Sequence, residues 1–143
     1  MNETPMGLGR IAGAWLLLAV LMIGNGLLRE VGLVPAVGRA GADVLSAMLG
    51  IAIVLLATRP FLRPLSGAPT GALIRVSLLW LVATLAFEFL FGHYVDGKSW
   101  SELAGDYAIW RGRLWPIVLA ALVLAPFVWG RWLVRAPAPR SST

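Results

Sequence analysis

The chain has no cysteine in its 143 residues. That excludes disulfides, thiolate metal sites and cysteine nucleophiles, and leaves the redox compartment undetermined. It has one histidine, His93, and its positive charge is nearly all arginine. A metal site would need Glu30, Glu88, His93 and Asp106 to converge on one point, so none is expected. No glycine-rich phosphate loop follows a strand. Ser46 and the loop serines have no histidine close in sequence, so a serine triad would have to recruit His93. The signal for catalysis is weak throughout, and no cofactor is implied.

Charge of either sign is also scarce. Charged residues make up 13% of the chain, against roughly 25% in soluble domains. What replaces them is apolar: 59% of residues are hydrophobic and the mean hydropathy is +0.81. A soluble fold of this size leaves a large share of its surface in water and could not hide so much apolar area. Lipid is the solvent that removes the conflict. The net charge of +5 would suggest nucleic acid in a soluble protein. Here the arginines flank hydrophobic runs, where they set topology and meet lipid phosphates, so the partner expected is a bilayer and not a nucleic acid.

Four apolar runs approach the roughly 20 residues that a spanning helix needs. They are Ile11–Leu28, about Gly41–Thr58, Val76–Tyr94 and Leu114 to about Leu133. None alternates in polarity as barrel strands do, and lipid tolerates only backbones that satisfy themselves, so each run is read as a helix. Pro116 falls in a first turn and is harmless there; Pro126 lies deeper, removes a hydrogen bond near Leu122 and predicts a kink. The first run has Arg10 in front, but Ala40-Gly41-Ala42 is too far beyond it for a signal-peptide cleavage site, which makes it an uncleaved helix. The fold class expected is all-α, a four-helix membrane bundle.

Orientation follows from the basic residues on each side. One side holds Arg10, Arg59, Arg63, Arg75, Arg131, Arg135 and Arg140 with only Glu3 as an acid. The other holds Arg29, Arg39, Lys98, Arg111 and Arg113 with the six remaining acids. The acid-poor side is expected to be cytoplasmic, which puts both termini in the cytoplasm of a multi-pass protein of the inner (plasma) membrane.

The connections differ in character. Arg59 to Pro69 is short, basic and proline-rich and reads as a semi-rigid strap along headgroups. Residues 136–143 have nothing to bury and read as a disordered tail. Val31–Val37 is too apolar for a free loop and is expected to dip into the interface. Ser99-Trp100-Ser101-Glu102 matches a capping box, and Trp100, Leu103, Tyr107, Trp110 and Leu114 recur at helical spacing behind it. An amphipathic interfacial helix over about 99–111 follows, with Gly112 at the bend into the last run. Ala47, Gly50, Val54 and Ala57 share a face that permits close helix approach. Arg10-Ile11-Ala12-Gly13-Ala14-Trp15 and Arg75-Val76-Ser77-Leu78-Leu79-Trp80 echo each other, through duplication or because both residue types favour those depths.

Glu88 stands inside the third run, where even permissive scales charge about 2.5–3.5 kcal/mol for a helix-centre charge. With Ser77 and Thr84 it falls on one helix side, which points that side into the bundle. Partners collect at the same end: Asn25, Arg29 and Glu30 close the first run, Asp43 opens the second, His93 and Tyr94 close the third, and Asp106, Tyr107, Arg111 and Arg113 lead into the fourth. One connected network is expected, with Glu88 paired to Arg29, Arg111 or Arg113. Its role is open among a register-fixing pair, a site for a small polar ligand or lipid headgroup, and proton or ion carriage. The function expected is a non-catalytic accessory, assembly or interaction subunit, with a membrane-protein partner or homo-oligomer. The alternative is a small oligomeric transporter or channel subunit; a lipid-acting enzyme ranks third.

Overall fold

The computed structural model describes residues 7–132. The tail 136–143, Leu133, Glu3, Arg135 and Arg140 lie outside the described residues. Within them the chain is all helical, and three stretches are long and apolar enough to cross a membrane: Leu8–Leu65, Thr70–Tyr94 and Trp115–Trp132. The five α-helices are α1 (Leu8–Leu28), α2 (Val34–Leu62), α3 (Thr70–Tyr94), α4 (Trp100–Gly105) and α5 (Trp115–Phe127).

The first two expected runs have no loop between them. α1 continues through a π-helical turn, Arg29–Leu33, into α2, and the break comes at Gly38. Gly38 has φ 76° and ψ 170°, a backbone region that is essentially glycine-only. Beyond it the helix runs back antiparallel to α1. Asn25 pairs with Ser46 near the Gly38 end, and Arg10 donates from Nη2 to the Pro60 carbonyl at 2.9 Å near the other. Val31–Val37, expected to lie along an interface, is therefore helical backbone that carries α1 on to its turn.

Proline explains where the α pattern changes. Pro35 has no N–H to give the Val31 carbonyl, and just before it the Val34 N–H reaches back five residues to Arg29. Pro126 leaves the Leu122 carbonyl without its usual donor, and the π turn Val128–Trp132 follows within two residues. Both departures are π turns of the kind that absorb one extra residue while keeping the backbone bonded.

α3 runs parallel to α1, and α5 returns antiparallel to α3, with Ser77 Oγ donating to the Val123 carbonyl at 2.7 Å. The basic strap is more structured than expected. α2 extends to Leu62, a 3₁₀ turn covers Arg63–Leu65, Leu65 is buried, and the Gly67 N–H donates to the Gly130 carbonyl at 3.0 Å. The core gathers at this Arg59 end, around Leu62, Leu65, Leu73, Val76, Trp80 and Ala125. In the most apolar window of α3 only 22% of residues are buried inside the protein, and Leu78, Leu79, Val82 and Leu90 stand exposed on its outer side.

The expected helix over 99–111 is cut short. Its capping box is present: Ser99 N–H donates to Glu102 Oε2 at 2.7 Å and the Glu102 N–H donates to Ser99 Oγ at 3.2 Å. α4 nevertheless ends at Gly105, and a separate 3₁₀ turn, Ile109–Arg111, precedes Gly112, whose φ of 78° makes the expected bend. The apolar stripe splits with it. Leu103 packs on α3 at Gly92, where a side chain would collide with it, while Trp110 is 81% exposed. The break frees Tyr107 to stack on Phe89 of α3, ring centroids 5.6 Å apart.

Gly38→Ala is expected to lower stability by about 1–3 kcal/mol in thermal unfolding of the detergent-solubilised protein. Gly9→Ala, on an open helix face, is expected to leave it unchanged or slightly higher. The backbone N–H of Ser99 holds Glu102 below its ordinary 4.5. That contribution is complete above about pH 4.5 and fades as pH falls through the depressed native value. Amide protection at Ser99 should show this acid-side loss, and Glu102→Gln should flatten it.

Candidate functional site

α1 and α3 meet at one end only. Trp80 Nε1 donates to the Ile11 carbonyl at 3.1 Å, and Trp15 Nε1 donates to Thr84 Oγ1 at 3.0 Å. Trp15 also packs edge-on to Phe87, centroids 6.0 Å apart. Toward the Gly38 end no hydrogen bond joins the two helices among the described residues, and a cavity of about 990 Å³ opens between them. Trp15, Thr84 and Phe87 lie at its base, and it reaches the charged residues of the Gly38 end.

One wall is a polar clasp between α1 and α2. Asn25 is buried, donates from Nδ2 to the Ser46 carbonyl at 2.9 Å, and accepts from Ser46 Oγ at 3.2 Å. Its neighbour Gly50 has no room for a side chain without pressing Met22, Asn25 and Val118 at 3.1–3.4 Å. The expected small-residue face therefore works here by bringing α1 and α5 onto α2.

The mouth carries the ion pairs, and they form two clusters instead of one network. Arg29 pairs with Glu30 at 3.2 Å and Asp43 at 3.6 Å, and Arg39 pairs with Glu30 at 2.8 Å. Across the opening Arg113 pairs with Asp106 at 3.7 Å. Each cluster is local in sequence, because the α1–α2 hairpin and the α4–α5 connection stand on opposite sides of the cavity. All these partners are partly or fully exposed, so each pair contributes about 1 kcal/mol or less.

Glu88 belongs to neither cluster. Among the described residues it makes no ion pair within 4 Å and no hydrogen bond, so the expected pairing with Arg29, Arg111 or Arg113 is not formed. It is half-buried and lines the cavity. Arg111 also lines the cavity and has no ion-pair partner among the described residues. The cation whose field reaches Glu88 most strongly is Lys98, on the exposed turn after α3.

Tyr107 sits half-buried close to Glu88. Burial raises its phenol above the ordinary 10, and the charges of Glu88 and Asp106 push the same way. The nearby Trp115 indole opposes burial more strongly than either of those charges adds to it, though its N–H makes no well-formed hydrogen bond. Both Tyr107 Oη and Trp115 Nε1 are buried without a hydrogen-bond partner, and both residues line the cavity.

His93 and Tyr94 are not part of the cavity lining. His93 Nδ1 bonds the Lys98 carbonyl at 2.8 Å and its ring stacks on Trp100 at 3.9 Å, while Tyr94 is exposed beside it. These contacts hold the turn at 95–99. No group of three or more His, Asp and Glu is placed to hold a metal among the described residues.

Several cavity residues carry no functional signal in sequence. Phe87 and Phe89 read as membrane filler until their flanking of Glu88 is seen in the cavity wall. Ser46, 21 residues from Asn25, needs the hairpin before its role shows.

Because Glu88 has no partner to orphan, Glu88→Gln is expected to keep the melting temperature of the wild type or raise it. Asn25→Ala breaks the α1–α2 clasp and should cost about 0.6–1.7 kcal/mol, the range for interhelical hydrogen bonds in membranes. A large loss from Glu88→Gln would restore the pairing that the geometry lacks. Compared with known protein families, curated proteins and solved structures, the chain matches none.

Proposed function

We propose that this chain is a four-span membrane protein of the plasma membrane, with both termini cytoplasmic, that acts without catalysis as an accessory subunit holding a ligand in an outward-facing cavity. The single observation that carries the reading is the cavity of about 990 Å³ with the unpaired Glu88 in its wall. Pockets of about 300–1,000 Å³ that combine apolar walls with a few polar groups are typical of small-molecule sites. An intramembrane carboxylate without a structural partner is by default a functional residue.

The spans in this reading are α1, the part of α2 beyond Gly38, α3, and α5 with its π turn. Charge supports the orientation. Arg10, Arg59, Arg63, Arg75 and Arg131 gather at the Arg59 end, and among the described residues every acid lies toward the other. Five basic residues, Arg29, Arg39, Lys98, Arg111 and Arg113, stand at the other end too; the sequence margin of seven to five, which includes Arg135 and Arg140, favours the Arg59 end as the cytoplasmic one under the positive-inside rule. Outward-facing apolar rows such as Val20, Leu56 and Val82 are available to lipid, to a membrane-protein partner or to a second copy.

A transport reading has one observation in its favour. The cavity base is held by few contacts, mainly the Trp15–Thr84 and Trp80–Ile11 hydrogen bonds. Parting them would separate α1 from α3, and alternating access would further require the packed core of the Arg59 end to open. Flux in reconstituted vesicles that Glu88→Gln abolishes would favour transport; its absence favours the accessory role.

The lack of cysteine makes topology directly measurable. Lys98→Cys is expected to react with a membrane-impermeant maleimide from outside intact cells, and Arg63→Cys only after permeabilisation. Ala19→Cys, in the cavity lining, should react from outside more slowly, while the outward-facing Val82→Cys stays unlabelled. The opposite pattern for positions 98 and 63 reverses the orientation. An inert Ala19→Cys beside a reactive Lys98→Cys removes the open cavity.

A further inference from the structure

The chemistry of the cavity identifies the class of ligand that suits it. Its mouth is lined by both signs of charge, but most of that charge is spent. Arg29, Arg39 and Arg113 are paired with Glu30, Asp43 and Asp106, and Glu102 accepts from the Ser99 backbone. Lys98, Arg111 and Asp96 also line the cavity without an ion pair among the described residues, but on exposed connections outside α3. Among the cavity residues that α3 supplies, the one formal charge is Glu88, and no described residue pairs with it within 4 Å. A ligand that enters beyond the mouth therefore meets a negative site.

The surrounding wall narrows the class further. Glu88 stands between Phe87 and Phe89 in sequence, and Trp15, Tyr107 and Trp115 line the same cavity. Phe89 and Tyr107 are stacked, and Phe87 and Trp15 meet edge to face. Aromatic faces carry partial negative charge and attract cations that are weakly hydrated, quaternary ammonium groups above all. A small inorganic cation would want several oxygen ligands, and Glu88 has no companion carboxylate in contact. The apolar remainder, including Met22, Val118 and Leu122, suits a hydrocarbon substituent.

We infer that the cavity binds an amphipathic organic monocation, its charged nitrogen at Glu88 among the aromatic rings and its apolar part toward the base. This rests on the reading of the cavity as an outward-facing ligand site and adds the sign and kind of ligand. Lys98 opposes it: exposed in the lining of the cavity mouth and free of any ion pair among the described residues, its positive charge lowers affinity for a cation.

The test compares benzyltrimethylammonium with benzenesulfonate by equilibrium dialysis against phosphatidylcholine nanodiscs with and without the full chain. The cation is expected to be retained in a protein-dependent way, at least tenfold more tightly than the anion. Glu88→Gln should weaken retention of the cation tenfold or more, and Lys98→Ala, on an exposed turn that tolerates substitution, should strengthen it several-fold. Equal retention of the two probes, no retention of either, or a Glu88→Gln protein that binds the cation as well as the wild type overturns the inference. So does a Lys98→Ala protein with weakened cation binding. Retention of benzenesulfonate alone overturns the cation assignment while leaving the ligand cavity standing; the outside labelling of Ala19→Cys reports on the cavity independently of either probe.

Discussion

Two indole N–H groups determine how α1 and α3 stand to each other. Trp80 reaches the Ile11 carbonyl and Trp15 reaches Thr84, so the bonds sit on successive turns of the helix pair and point in opposite directions across it. In an apolar surrounding an unpaired donor is costly, which gives each bond a reason to persist. Above them the helices diverge, and the space between them becomes the cavity. Had the contacts been spread along α3, Glu88 would face another helix and would need a partner there.

The same rule, that buried backbone polar groups need partners, shapes the rest of the chain. Where Pro35 and Pro126 remove a donor, the helix shifts to π bonding instead of opening. Where the chain must reverse, a single glycine does it at Gly38, with helix on both sides. At the Arg59 end the Gly67 N–H closes on the Gly130 carbonyl, and Trp129 donates to the Leu55 carbonyl at 2.9 Å. The Arg59 guanidinium lies over the Trp129 ring at 5.2 Å. That end is therefore closed by backbone as well as by side chains.

Much of the architecture was legible in the sequence. Run length, arginine placement and the Ser99–Glu102 spacing each carry a local physical meaning, so the helices, the basic end and the capping box could be read from them. The residues that failed to follow the reading depend on distance across the fold. The stripe over 99–111 has helical spacing, but the end of α4 at Gly105 and the stacking of Tyr107 on Phe89 divide it. Asn25 was visible as a polar intrusion, whereas its partner Ser46 depends on where the hairpin turns. Arg10 and Trp15 echo Arg75 and Trp80, yet the two tryptophans make different contacts: one bonds a side chain four residues beyond the other's position, the other a backbone carbonyl four residues before.

Glu88 shows most clearly why composition cannot reach a site. In sequence it lies within helical reach of a well-stocked polar end, and pairing with an arginine is the cheapest outcome for an acid on a largely apolar helix. Three of the arginines, however, pair with an acid of their own connection, Arg29 and Arg39 within the hairpin and Arg113 with Asp106, while Arg111 makes no ion pair with Glu88 or any other described acid. These short-range pairs form from neighbouring segments and leave α3 with none. A carboxylate that only fixed helix register would be expected to compete for one of them, since pairing is what makes such a residue structural. Glu88 instead stands on an open wall beside stacked rings and two unbonded polar atoms, Tyr107 Oη and Trp115 Nε1. A carboxylate without an ion pair and two buried polar atoms without a well-formed hydrogen bond, gathered in one cavity, are the observation on which the ligand proposal rests.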